Sequence, residues 1–211
     1  LDPIIAARPA ADTFTRASYL GAVANRADSF WVPDHLNQLF PRSLWKPEYC
    51  GSTRVVPTLD ATMEPWTMLG HIATRNRVGR MRLGVGVTDT GRRNPAVTAQ
   101  AAATLHLLTR GRAILGIGTG WFELEHDSLG YDFGTFTDRF NRLGEALQII
   151  LPMLEGERPT FSGKYYKTQE AMAEPRFRDH IPLMIGGSGE KKTIPLAAKH
   201  FDHLNIIAGF D

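Results

Sequence analysis

The 211-residue sequence predicts a parallel α/β fold, and three observations carry that prediction. Short apolar runs alternate with segments of helical periodicity along most of the chain, the pattern of strand–helix–strand units. The stretch from Met81 to Gly120 holds one complete crossover of strand, loop, helix, tight turn and strand. Its two strands, residues 82–87 and 113–118, are almost continuously apolar, as strands covered on both faces are.

Within that crossover Asn94 is a helix cap, and Pro95 takes the first helical position, where its missing N–H costs nothing. Val97, Ala101, Leu105 and Leu108 follow at helical spacing, and Gly111 supplies the left-handed residue that ends the helix. Upstream, residues 11–26 read as a helix capped by Asp12, with Phe14, Tyr19 and Val23 near one face. Residues 27–32 read as a strand running into Pro33-Asp34-His35. Residues 36–66 form a long Pro- and aromatic-rich loop insertion, which in a compact domain is functional or carries small elements of its own. A helix over residues 64–73 closes it, with Pro65 in the first turn.

Downstream, residues 121–135 read as a polar and aromatic loop. Phe136, Phe140, Leu143, Leu147, Ile150 and Leu154 then mark one stripe of a long helix that Pro152 kinks or ends. Residues 156–180 contain Phe-Ser-Gly-Lys-Tyr-Tyr and read as a hairpin or excursion from the core. A strand at 181–185, a helix at 190–200 and a strand at 204–207 follow. Five strong strands in this alternation belong either to an incomplete barrel or to an open sheet.

Composition narrows the function classes. A hydrophobic fraction of 43% and a charged fraction of 22% are ordinary for a globular chain, and one domain over residues 1–211 is expected. The 24 basic and 22 acidic residues are interspersed, and no basic run carries interleaved aromatics, which argues against nucleic acid. No segment approaches the roughly 20 apolar residues of a membrane span. The opening Leu-Asp-Pro-Ile-Ile lacks the basic flank of a signal peptide, and the single Cys50 excludes an internal disulfide. These features predict a soluble, cytoplasmic protein.

Parallel sheets place ligands at the carboxyl ends of their strands, and the candidate residues lie there. Asp34-His35 ends the first strand; its imidazole is suited to moving a proton, the alternative being a capping Asp and a structural His. Gly186-Gly-Ser-Gly189, followed by Lys191 and Lys192, is a strand-to-helix loop able to hold a phosphate or simply to make a tight turn. Gly118-Thr-Gly120 opens a second glycine turn. Gly84 and Gly86 either admit a flat ligand or relieve crowding within the sheet. Arg92-Arg93 reads as solvated, and Glu123, Glu125 and His126 as a substrate entrance or a plain surface loop. His71, His106, His200 and His203 read as packing or surface residues. No pair of histidines has metal-ligand spacing, so no metal is expected.

Phe30-Trp-Val-Pro-Asp-His35, Arg82-Leu-Gly-Val-Gly-Val-Thr88, Asn94-Pro-Ala-Val97 and Gly111-Arg-Ala-Ile-Leu-Gly-Ile-Gly-Thr-Gly120 occur together in this order. The set resembles the bacterial luciferase-like superfamily, and within it the branch that uses the deazaflavin coenzyme F420. Residues 1–120 are most similar to mycobacterial phthiodiolone ketoreductases. From Trp121 onward, Trp-Phe-Glu-Leu-Glu-His126 and Ile185-Gly-Gly-Ser-Gly189 resemble generic members of the branch. The resemblance implies a (β/α)8 TIM barrel of the luciferase-like type, with the first strand and the last two not seen in the chain. It implies that the cofactor lies at the carboxyl ends of the strands, among Asp34, Val85, Gly86, Thr88, Gly118 and Gly120. Asp34 and His35 match the family's Asp-His pair, in which the His handles a proton. Val85-Gly86 match a non-prolyl cis peptide pressed against the middle ring, and Thr88 a residue facing the ring. Gly186, Gly187, Ser188 and Gly189 match the phosphate loop. Some relatives carry a glutamate after the GTG turn; here Trp121 stands there, with Glu123 or Glu125 as substitutes. The implied activity is hydride transfer between F420 and a carbonyl or alcohol substrate, a lipid ketone included, in a homodimer. The alternatives are an FMN-dependent monooxygenase and a non-catalytic barrel fragment that binds a ligand or partner.

Overall fold

The computed structural model describes residues 16–36, 42–54, 62–77, 80–175 and 179–206. Asp12, Phe14, parts of the 36–66 loop and Ile207 lie outside these residues. In chain order, residues 16–24 are helical (α1) and Ser29–Val32 form β1. Two short 3-10 turns, Arg42–Leu44 and Gly51–Arg54, occupy part of the loop insertion. Helix α2 is Pro65–Arg75, β2 is Arg82–Val85, β3 is Thr88–Asp89 and α3 is Pro95–Leu108. They are followed by β4 at Ala113–Gly118, α4 at Glu123–Leu129 and α5 at Phe136–Glu155. A hairpin, β5 (Phe161–Ser162) with β6 (Lys167–Thr168), leads to β7 at Leu183–Gly186, α6 at Thr193–His200 and β8 at His203–Asn205.

All five expected strands are present and share one parallel sheet in the order β1-β2-β4-β7-β8. Strand β3 continues the line of β2 after a turn at Gly86-Val87 and also pairs with β4. All six residues of β4 are buried, which accounts for the unbroken apolar run Ala-Ile-Leu-Gly-Ile-Gly. Crowding between strands, rather than a ligand, explains Gly84. It stands opposite Trp31 in register, and a Cβ there would meet the Trp31 ring at 2.4 Å.

Helix α3 settles on the sheet by a different face than Val97 and Leu108 suggest. Asn94 caps α3 as expected, its side chain accepting from the N–H groups of Ala96 and Val97. Yet Val97 and Leu108 are exposed, and α3 buries Ala99, Ala102, Ala103, Leu105 and His106. Small side chains let α3 approach β4 and α5 closely, and that contact outweighs covering Val97 and Leu108. In α5 the stripe Leu143, Leu147 and Ile150 is buried with Ala146, Ile149 and Met153, whereas Phe136 is exposed. Pro152 does not end α5, because it sits in the last turn. The helix closes at Gly156, which is left-handed at φ +91°. Residues 121–135, expected as a loop, contain α4, which ends on the left-handed Gly130. The last helix begins at Thr193 rather than 190, because residues 190–192 form a turn.

His106 lies fully buried between α3 and β4, where its Nδ1 accepts from the Ala113 N–H at 3.3 Å. Burial holds its pKa below the ordinary imidazole value. The unfolded chain therefore takes up this proton first as the pH falls. The His106 contribution is complete above the ordinary value of about 6.5 and is lost as pH falls toward the folded value. Replacing His106 by Gln will flatten the loss of urea midpoint between neutral and mildly acid pH; parallel slopes in both chains would exonerate His106. Two glycines give a second check. A Cβ on Gly116 would lie 2.0 Å from the Val85 carbonyl oxygen, whereas one on Gly144 in α5 meets nothing within 4 Å. Gly116→Ala is expected to cost about 3 kcal/mol or more. Gly144→Ala is expected to gain about 0.5–1 kcal/mol in the same denaturation measurement.

Candidate active site at the carboxyl end of the sheet

The loops that follow β1, β2, β4 and β7 converge on one cavity of about 460 Å³. That volume suits a cofactor or small ligand. His35 enters from the end of β1, Gly86 and Val87 from the turn after β2, and Gly118 to Trp121 from the end of β4. Gly186 to Gly189 enter from the end of β7, and Phe136 and Phe140 from the first turns of α5. The wall is thus mostly glycine backbone and apolar side chain, a surface for a flat ring. At one end stands the start of α6, which has no side-chain cap. Lys192 lies beside it, 5.2 Å from the Phe136 ring and 5.3 Å from that of Phe140. A helix N-terminus with an adjoining lysine suits an anionic tail.

Beneath the cavity lies a buried charge cluster. Both oxygens of Asp34 are taken: Arg93 Nε donates to one at 2.8 Å and Arg93 Nη2 to the other at 2.7 Å. The Asp89 N–H adds a third bond at 3.2 Å. Arg93 Nη2 also reaches Glu64 at 2.7 Å, and Glu64 caps α2 through the N–H groups of Trp66 and Thr67. Burial alone would lower the Arg93 pKa, but its hydrogen bonds and charge pairing with Asp34, then Glu64, raise it above the ordinary guanidinium value. Arg92 is buried as well. Its Nε donates to Asp89 at 3.2 Å, and its Nη2 donates to the Asp34 carbonyl and lies 3.3 Å from Glu125. His126 packs into the same cluster, with Nε2 3.3 Å from Asp89.

His35 stands where this cluster meets the cavity. Its Nδ1 lies 3.0 Å from Glu125 Oε2, and its ring meets Trp121 edge-on with centroids 5.6 Å apart. Glu125 also accepts from the Leu36 N–H at 2.5 Å.

The structure brings His35, Gly86, Gly118, Gly120, Gly186, Gly187, Ser188 and Gly189 to one cavity. Asp34 borders it too, but with its carboxylate turned into the charge cluster. Val85 and Thr88 do not line the cavity. Both are fully buried, because the turn between β2 and β3 points Gly86 and Val87 outward instead. The cis peptide correspondingly joins Gly86 to Val87, one residue beyond the Val85-Gly86 position. Arg92-Arg93 are not solvated: the first is buried and the second half-buried against Asp34 and Glu64. Of the two glutamates after Trp121, Glu123 is exposed and Glu125 reaches His35.

Sequence reasoning passed over Asp89 and Val87 altogether. Val87 fills the space between two strand ends, where a Cβ on Gly118 or Gly186 would meet its methyl groups. Asp89 fixes Gly120 in kind: that residue has φ +75°, and a Cβ there would lie 2.4 Å from the Asp89 carboxylate. A usable signal exists in hindsight. An acid follows each of three strands within a few residues, and the paired arginines are the cations that stand among them.

Comparison with known proteins identifies the family. The chain is 61% identical over 194 residues to the phthiodiolone/phenolphthiodiolone dimycocerosates ketoreductase of Mycobacterium sp. (strain JLS), covering 90% of this chain and 50% of that one. It is 33% identical over 174 residues to the F420-dependent glucose-6-phosphate dehydrogenase of Amycolatopsis mediterranei (strain U-32), covering 82% and 45%. The chain thus spans about half the length of the curated relatives it matches. In fold it is similar to an F420-dependent secondary alcohol dehydrogenase solved with an F420-acetone adduct, with a TM-score of 0.72 at 24% identity, over 92% of this chain and 55% of that one. The parallel sheet is accordingly part of a luciferase-like TIM barrel. The luciferase-like monooxygenase family model matches residues 7–211, and the chain belongs to that family.

Proposed function

We propose that the chain carries the cofactor and proton-transfer site of an F420-dependent oxidoreductase acting on a ketone or the corresponding secondary alcohol. One observation carries this reading: His35 shares a single cavity with a glycine-walled, apolar slot and an uncapped helix start. Gly86, Val87, Ile185 and Gly186 line the slot, a glycine and apolar surface that suits a flat ring. The Gly186–Gly189 loop and the first turn of α6 fit the ring's phosphate-bearing tail. Support also comes from relatives, two of which are named for F420-dependent dehydrogenases.

The residues that would hold the reduced deazaflavin are those of the slot and the Gly186–Gly189 loop, and the chemistry it would supply is a hydride, with its electron pair, for the carbonyl carbon of the substrate. His35, as the imidazolium, gives its Nε2 proton to the carbonyl oxygen, so that C=O becomes CH–OH and a neutral imidazole is left; in the reverse direction the neutral ring takes that proton back. Asp34 handles no proton in this reading, because Arg93 and the Asp89 N–H occupy its oxygens. It anchors the end of β1 instead. Trp121 takes the position where some relatives have an acid, and its ring stands edge-on to His35. Trp121 and Phe136 are 66% and 56% exposed while lining the cavity, which gives it an apolar mouth. A ketone on a bulky apolar carrier is the substrate class we favour. The ketoreductase relative is named for phthiodiolone and phenolphthiodiolone dimycocerosates.

Titration with F420 and with FMN, followed by fluorescence, tests the cofactor. F420 is expected to bind; tight FMN binding without F420 affinity would assign the FMN-dependent monooxygenase reading instead. His35→Ala is expected to leave the F420 dissociation constant unchanged and to slow ketone reduction by about 10²–10⁴-fold. Undiminished turnover would remove His35 from the chemistry.

A further inference from the structure

We propose that Glu125 is a positioning residue for His35, holding the imidazole in the one tautomer that leaves Nε2 for the substrate; the inference rests on the reading of His35 as the proton carrier. A carboxylate only accepts hydrogen bonds, so a His35 Nδ1 lying 3.0 Å from Glu125 Oε2 must carry the proton. Nε2 is then the ring nitrogen left to exchange a proton with a molecule in the cavity: bare, it takes the hydroxyl proton of an alcohol, and protonated, in the imidazolium whose Nδ1–H Glu125 still accepts, it gives one to a carbonyl oxygen. Glu125 is 1% exposed and does not line the cavity, so it touches neither ring nor substrate and acts through His35.

Its own position is set by the fold. The Leu36 N–H donates to Oε1 at 2.5 Å, and Arg92 Nη2 lies 3.3 Å from Oε2. Each oxygen therefore faces protein donors, and the carboxylate cannot swing away without leaving one of them buried and unmatched. The neighbouring His126 packs against the cluster, with Nε2 3.3 Å from Asp89 and Nδ1 3.1 Å from the Phe122 carbonyl at the start of its own helix. The nearby Asp34 cannot take this role, because Arg93 holds both of its oxygens. Two residues far apart in sequence, His35 after β1 and Glu125 in α4, thus form a dyad that the charge cluster orients before any ligand enters.

Nitrogen-15 NMR of the histidine-labelled chain without cofactor reads the tautomer directly. The wild-type chain is expected to show His35 as Nδ1–H. Glu125→Met keeps the length of the side chain and removes both acceptor oxygens. In it, the Nε2–H form is expected to appear. Reduction of a long-chain aliphatic ketone by F420 is then expected to slow by roughly 10²-fold, the low end of what loss of an acid–base group costs. The F420 dissociation constant is expected to stay unchanged. A wild-type His35 in the Nε2–H form overturns the proposal and needs no variant to be folded. So does a Glu125→Met chain that keeps the wild-type tautomer, whether or not turnover falls. His35→Ala with full turnover would instead sink the functional reading, whatever the tautomer.

Discussion

The rest of the site depends on one constraint: Asp34, Arg92 and Glu125 are almost wholly buried at the carboxyl end of the sheet, and each must be matched. Removing an ion from water costs several kcal/mol, which only well-placed partners offset. The partners come from different loops, so satisfying them fixes those loops against one another. Arg93 joins the end of β1 to the start of α2, because it bonds Asp34 and Glu64 together. Arg92 joins the loop after β3 to the end of β1 and to α4. The cavity above them inherits that rigidity. His35 is thereby ordered by folding, before any ligand enters.

The hairpin extends the same network on the far side. Three consecutive N–H groups, of Lys164, Tyr165 and Tyr166, donate to the Glu145 carboxylate on α5 at 2.8–3.1 Å. The Tyr166 hydroxyl then donates to the Thr90 carbonyl at 2.5 Å, in the loop that leads to Arg92. Burial pushes that hydroxyl up to about 12, so it remains a donor at any ordinary pH. What reads in sequence as an excursion from the core is therefore a brace, tied at one end to α5 and at the other to the site.

The architecture was legible because its signals are local. Short apolar runs mark the five strands, and Asn94-Pro95 marks the start of α3. The glycine turns after β4 and β7 marked the end of the sheet where the cavity lies. What escaped depends on partners distant in sequence. Helix α4 reads as a loop because Glu125 and His126, its buried residues, are polar, and nothing nearby in sequence shows that Arg92, His35 and Asp89 receive them. Arg92-Arg93 looks solvated for the same reason. Resemblance to relatives puts Val85 and Thr88 at the ring, whereas the turn at Gly86-Val87 shifts which residues look out.

Asp34 and His35 show how two adjacent residues come to have opposite duties. Successive residues of extended backbone point to opposite sides, so the chain leaving β1 sends one side chain inward and the next outward. Asp34 turns into the protein, where Arg93 saturates it; His35 turns to the cavity with its side chain still 15% exposed. Exchanging their order would bury the imidazole against two guanidinium groups and leave the carboxylate in the cavity without its arginine. The pair is therefore a single device. The acid fixes the backbone from which the imidazole projects, and Glu125, from across the sheet, fixes the direction in which that imidazole faces.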